Sequence, residues 1–145
     1  MARQLATIGY EGKTLDEFLD ELKQAGVTLL IDVRAVAASR RPGFSKNALA
    51  GALKERGIDY LHLRALGTPK EGREAARKGR IAEMHIIYEQ QLQTIEAELA
   101  LEQADAAARE QNVALLCFEK DAACCHRALV AERLTKKSGY AVLDI

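Results

Sequence analysis

Two stretches of this 145-residue chain, TLLIDV at 28–33 and VALLCF at 113–118, are apolar at nearly every position. A strand with one wet face alternates apolar and polar residues, so unbroken runs call for strands covered on both sides, as in a parallel sheet. Parallel neighbours need long crossovers, and helical patterns do lie between these runs and three further short ones, LATIGY at 5–10, DYLHL at 59–63 and YAVLDI at 140–145. Alternation of this kind predicts a three-layer α/β fold, a mostly parallel sheet with helices on both faces.

The helices carry their own boundary signals. Thr14, Leu15, Asp16 and Glu17 form a capping box with acids in the first turn, and Gly26 follows as a stop, which predicts a helix near 14–25. Ser45 is placed to cap a second helix bearing Leu49, Ala52 and Leu53, closed by Gly57. Residues 67–80, GTPKEGREAARKGR, mix three glycines and a proline with many charges and read as a mobile excursion with room for one helical turn. Ile81, Met84, Tyr88, Leu92, Ile95 and Leu99 recur at spacings of three and four, predicting one long amphipathic helix toward Asn112, with a bend. Its stripe reads as a core face, with burial against a second copy, a homo-oligomer, left open. A last helix covers CCHRALVAERLTKK.

Length and composition, 48% hydrophobic and 29% charged, fit one soluble domain spanning 1–145. With no long apolar run there is no predicted membrane span and no secretory signal, so the expected location is the cytoplasm. Three cysteines, two of them adjacent, argue against a disulfide framework and for free thiols in a reducing compartment. Net charge is zero, yet the charges are sorted. Arg34 to Arg80 holds twelve Lys or Arg against four acids, whereas Ile81 to Asp121 holds nine acids against two bases. A basic middle segment attracts phosphates, on nucleotides or on nucleic acid, although such a segment is equally compatible with a solvated face.

In open α/β sheets, ligands bind beyond the carboxyl ends of the strands. Each predicted strand does end in polar residues: Gly9, Tyr10, Glu11 and Gly12; Asp32 and Arg34; His62 and Arg64; Cys117, Glu119 and Lys120. Asp32 and Arg34 share one side of their strand. They either close its end as an ion pair or aim the guanidinium at an anion. After that strand, Arg40, Arg41 and Lys46 surround Phe44 and lead into the helix start at Ser45, a candidate phosphate site. Phe44 either stacks on a base or staples the helix entry.

The stretch LLCFEKDAACCHRALVAERL, 115–134, is the densest in chemistry. Asp121 is the best N-cap for the last helix, which puts Cys125 at the end of the first turn, where the helix field lowers a thiol pKa. His126 is adjacent, but neighbours on a helix point about 100° apart, so a partner base for Cys125 has to come from elsewhere, His62 or Glu119. His126 itself lies toward the apolar stripe of Leu129, Val130 and Leu134, as a hydrogen-bonded histidine at the core edge would. Arg127 faces away from that stripe, toward an anion or a neighbouring loop. Cys117, Cys125 and His126 lack the paired C-x2-C spacing of structural zinc sites, so no metal is assigned, and no cofactor is indicated.

Together T-I-G-Y-E-G at 7–12, L-I-D-V-R at 30–34, P-G-F-S-K at 42–46, Y-L-H-L-x-x-L-G at 60–67 and L-L-C-F-E-K-D-x-x-x-C-H-R at 115–127 resemble the bacterial and archaeal domain of unknown function family 488, over nearly the whole chain. The resemblance implies a compact, cytoplasmic, Rossmann-like domain and marks motif positions without roles: Gly9, Tyr10, Glu11, Gly12, Asp32, Arg34, Phe44, Ser45, Cys117, Glu119, Cys125, His126 and Arg127. The chain departs from the family pattern at Thr68, where a glycine is common, and at Ala122, where a proline is. L-I-D-V-R also resembles the strand end of rhodanese-like domains, but no arginine closes a tight loop after Cys117, which disfavours sulfur transfer and phosphatase chemistry.

Three functions follow. The first is an enzyme on a small phosphorylated or nucleotide-like ligand, with Glu11, Asp32 or Glu119 as acid or base, Cys125 as nucleophile, and Gly9, Tyr10, Arg34, Arg40, Phe44, Ser45, His126 and Arg127 around the ligand. The alternative is a non-catalytic nucleic-acid-binding module using segment 34–80, and the third a sensing or partner-binding domain. Only 5% of residues are aromatic and none is Trp, which argues against an extended base-stacking platform.

Overall fold

The computed structural model describes residues 3–119 and 126–145. Five strands, β1 (Gln4–Gly9), β2 (Leu29–Asp32), β3 (Asp59–His62), β4 (Val113–Cys117) and β5 (Ala141–Asp144), form one sheet in the order β3-β2-β4-β1-β5. Every pairing is parallel. The two nearly unbroken apolar runs, β2 and β4, lie next to each other inside the sheet and are buried at every position. Period-two alternation divides their side chains between two cores. Ile8, Leu30, Ala114 and Leu116 join the helices α1 (Leu15–Gln24) and α2 (Lys46–Glu55) on one face. Leu5, Leu29, Ile31, Val113 and Leu115 join the opposite core, under α4 (Ile81–Leu92), α5 (Ile95–Glu110) and α6 (Arg127–Ser138). The result is the three-layer α/β arrangement expected.

The chain steps from β1 over β4 to β2 and on to β3 with its helices on one face, then reverses to β4 and β5 with its helices on the other. Right-handed crossovers require that switch of faces when the direction reverses. At the carboxyl edge, the connections leaving adjacent β1 and β4 therefore depart toward opposite faces, which opens a crevice there.

Helix α1 follows its signals: Thr14 Oγ1 accepts from the Glu17 amide at 3.1 Å, and Glu17 Oε1 accepts from the Thr14 amide at 3.1 Å. Three other expectations are corrected. The excursion at 67–80 contains an eight-residue helix, α3 (Lys70–Arg77), whose inward positions are Gly72 and Ala75. A Cβ on Gly72 would lie 2.5 Å from Thr68 Cγ2, so a small residue is what lets α3 pack closely. The long helix is two helices, because Thr94 Oγ1 accepts from the Ala97 amide at 3.2 Å and starts α5 anew. That break shifts the helical phase. Ala97, Leu101, Ala104 and Ala108 face the core, while Ile95 and Leu99 point outward, 73% and 66% exposed. Ser45 sits at the start of α2 but makes no cap bond with its side chain. Its Oγ instead accepts from the Ser39 amide at 3.0 Å and contacts the Ser39 carbonyl, tying the preceding loop.

Among the described residues, no helix is long and apolar enough to cross a membrane.

Candidate functional site at the carboxyl edge

The end of β2 is a closed polar network. Asp32 has no exposed surface, and Arg34 is 6% exposed. Arg34 Nε reaches Asp32 Oδ1 at 2.9 Å and Oδ2 at 3.1 Å, and Nη2 reaches Oδ2 at 2.7 Å. The Arg34 amide donates to Oδ1 and the Tyr60 hydroxyl to Oδ2, at 3.0 Å and 2.5 Å. The remaining nitrogen, Nη1, donates to the Phe44 carbonyl at 2.8 Å and to the Tyr10 hydroxyl at 3.3 Å. Burial alone would disfavour the Arg34 charge; the Asp32 carboxylate more than offsets it, and the pKa stays above the usual arginine value. Burial first, and Asp32 second, raise the Tyr60 pKa. Of the two readings of this pair, the ion pair closing the strand end is the one observed.

Tyr10 and Phe44 belong to the same corner. Their rings stack at 4.5 Å, and Phe44 meets Phe18 edge-on at 5.2 Å. Phe44 is 1% exposed and shares its core with Leu49, so it packs as a staple does. Arg40 is exposed on the loop.

The end of β4 is built differently. Gly9, last in β1, lies where a Cβ would stand 1.7 Å from the Glu119 carbonyl oxygen and 2.7 Å from Arg127 Nη1. Only glycine allows the segment after β4 to cross so close. Arg127, wholly buried, donates from Nη1 to that carbonyl. Of the two alternatives read for it, an anion or a neighbouring loop, the loop is the one that Arg127, first in α6, bonds. Glu11 is exposed, and its amide donates to the Phe118 carbonyl at 2.8 Å.

His126 is 7% exposed. Its Nε2 lies 2.6 Å from the Val33 carbonyl oxygen, which can only accept, so Nε2 carries the proton and Nδ1 is a bare acceptor. Nδ1 faces Cys117 Sγ at 3.5 Å, and Glu119 Oε2 lies 3.1 Å from the same sulfur. Burial pushes the His126 pKa down to about 4, leaving it neutral at physiological pH. Burial likewise raises the Glu119 carboxyl above its usual range, with the Glu11 charge adding to the effect and Arg127 opposing it. Cys117 is disulfide-bonded, which corrects the expectation of three free thiols. Cys124 and Cys125 lie outside the described residues, as do Asp121 and the cap and nucleophile roles read for Asp121 and Cys125.

Between these strand ends and helix α3 lies a cavity of about 680 Å³. Tyr10, Arg34, Cys117, Phe118, Glu119 and His126 line one side. Thr68, Arg73, Arg77 and Met84 line the other, and none of these four was read as a site residue. The signal that could have found the two arginines is their spacing of four, which places them on one face if 67–80 is helical. Gly9, Glu11, Arg40, Phe44, Ser45 and Arg127 do not line the cavity. Among the described residues, no group of three His, Cys, Asp or Glu side chains could hold a metal ion.

The family model described as domain of unknown function DUF488 matches residues 14–134. The chain belongs to this family. No curated protein and no solved structure matches it. In this DUF488 chain the matched span contains the Asp32–Arg34 network, helix α3 with Arg73 and Arg77, and both Glu119 and His126. Gly9 and Tyr10, which complete the edge from β1, lie just before it.

Proposed function

We propose that this DUF488 protein is a small enzyme that binds a phosphorylated or nucleotide-like molecule in the carboxyl-edge cavity and acts on it by proton transfer. One juxtaposition carries the reading: a carboxyl with a raised pKa, Glu119, lines the same cavity as the guanidinium groups of Arg73 and Arg77, at the crevice where α/β sheets bind ligands. Arg73 and Arg77 hold the anionic group. Glu119 gives or takes a proton, a task suited to a carboxyl tuned upward toward neutral pH. The Asp32–Arg34 pair serves as a rigid floor, since its hydrogen-bonding groups are already engaged. Phe118, 42% exposed, supplies an apolar surface for the rest of the ligand.

Isothermal titration with the four ribonucleoside monophosphates and with inorganic phosphate tests the binding. At least one should bind, with an affinity that falls about tenfold or more in Arg73→Ala and Arg77→Ala, the scale of a charge-assisted hydrogen bond. Glu119→Gln should keep the affinity and abolish turnover of the bound molecule. Binding by none of them, or binding that ignores both arginines, would refute the reading. The alternative, a nucleic-acid-binding module using segment 34–80, predicts instead tight binding of oligonucleotides with a steep inverse dependence on salt.

A further inference from the structure

The cavity does not end at helix α3. A second depression of about 320 Å³ adjoins it, and the two share Ala35, Val36, Thr68 and Arg73 as lining. Beyond the shared wall, the second space is bordered by Arg64, Gly67, Lys70 and Gln91, with no carboxylate. Gly67 lets its loop pass close to Ala35, since a Cβ there would stand 2.2 Å from the Ala35 amide nitrogen.

The cations along this path recur at regular spacing and, among the described residues, make no ion pair. Lys70, Arg73 and Arg77 follow one another at three and four residues and so share one face of α3. Glu71 falls on another face, whereas Glu74, four residues after Lys70 and three before Arg77, shares theirs; neither lines either space. Several surface cations elsewhere are paired, Arg56 with Asp20, Arg133 with Glu89, Lys136 with Glu132 and Lys137 with Glu102, whereas others such as Arg40 and Lys54 are not, among the described residues. Among the described residues, none of Arg64, Lys70, Arg73 and Arg77 makes an ion pair, although Arg73 donates from Nη1 to the Thr68 carbonyl at 3.0 Å. Like charges one turn apart repel, and an anion lying along such a stripe relieves that repulsion. A single phosphate at Arg73 and Arg77 would leave Arg64 and Lys70 unmatched. A chain of two or more phosphates spans both.

We propose that the second depression is a phosphate-chain subsite and that the ligand is a nucleoside diphosphate or triphosphate, its base against Phe118 in the larger cavity and its phosphates running across Arg73 to Arg64 and Lys70. The inference rests on the reading of the larger cavity as a site for a phosphorylated molecule. Base stacking on an exposed aromatic ring tolerates any of the four bases, so the phosphate count, rather than the base, is the property read here.

The test is isothermal titration of the full chain with the monophosphates and diphosphates of all four ribonucleosides, on wild type and on the double variant Arg64→Gln, Lys70→Gln. Both positions are exposed, so the fold tolerates the change. In wild type the diphosphate should bind at least tenfold more tightly than the matching monophosphate. The double variant should erase that advantage and leave monophosphate affinity unchanged. If the monophosphate binds and the diphosphate gains nothing, the subsite is refuted while the reading of the larger cavity stands. If neither binds, both fall. A 5′-phosphorylated oligonucleotide that outcompetes the diphosphate, with affinity collapsing as salt rises, would make the groove a nucleic-acid track and overturn the assignment to a nucleotide.

Discussion

The ends of β2 and β4 look alike as sequence, an apolar run closing on charged residues, yet they do opposite things. At β2 the charges consume one another: Asp32 accepts from Arg34 and Tyr60, and what Arg34 has left goes to Phe44 and Tyr10. At β4 the polar groups border a cavity, and across it stand cations that make no ion pair among the described residues. A buried pair is retained only if its hydrogen bonds are complete, because desolvation of each ion is severe. A charge beside water and an open space carries no such demand. Charge at a strand end is therefore ambiguous, and only the count of satisfied hydrogen bonds tells a structural pair from a binding surface.

The contrast can be broken most directly at Asp32. Asp32→Ala leaves the Arg34 charge buried without its partner and should destabilise the protein by about 3–5 kcal/mol in urea unfolding. A loss under about 1 kcal/mol would mean that the network is not what holds β2, and the distinction between the two strand ends would collapse. Next comes the crossing between β1 and β4. Gly9→Ala forces a methyl group into the Glu119 carbonyl and should cost about 3 kcal/mol, near the top of the usual range for overpacking. Because the same backbone carries Glu119, ligand affinity should fall with it.

Protonation sharpens the comparison further. The folded pKa of His126, about 4, lies below the ordinary histidine value of 6.5, so the unfolded chain binds the proton more readily. Its contribution to stability is present above the unfolded pKa and is lost as pH falls through the window toward 4. Unfolding free energy should drop by roughly 2.5 kcal/mol between roughly pH 7 and pH 4.5 on this account, and the slope should flatten in His126→Asn. Glu119 has the opposite sign. Its raised pKa gives a contribution present at low pH and lost as pH rises through the folded value, so Glu119→Gln should steepen the acid-side fall. The smallest effect belongs to the open side: Lys70→Ala and Arg77→Ala should each leave stability within about 0.5 kcal/mol of wild type in the same urea titration. A larger loss would show that these cations, like Arg34, are structural.

How much of this was legible beforehand differs element by element. The capping box at Thr14 and Glu17 and the parallel strands were readable because each depends on near neighbours or on a run that has to be covered on both faces. Helix α3 was not, because its inward residues are Gly72 and Ala75, which leave no hydrophobic stripe to detect. The break at Thr94 was hidden by apolar residues that continue across it, and the exposure of Ile95 and Leu99 shows that those two never belonged to the core face. Among the cavity-lining residues, the strand-end set was read from topology alone, whereas Arg73 and Arg77 lay in a segment read as an excursion.

What the order of residues determined by itself is the layer architecture and the edge at which chemistry gathers: period-two and period-3.6 patterns are local, and right-handed crossovers leave few ways to assemble them. Tertiary structure alone decided which charges are spent. Asp32 and Arg34 closed on each other because Tyr60, Tyr10 and Phe44 arrive from elsewhere in the chain to complete their hydrogen bonds. Arg73 and Arg77 line the cavity and, among the described residues, make no ion pair, and neither Glu71 nor Glu74 lines it. Hydrogen-bond satisfaction depends on groups distant in sequence, and no local pattern records it.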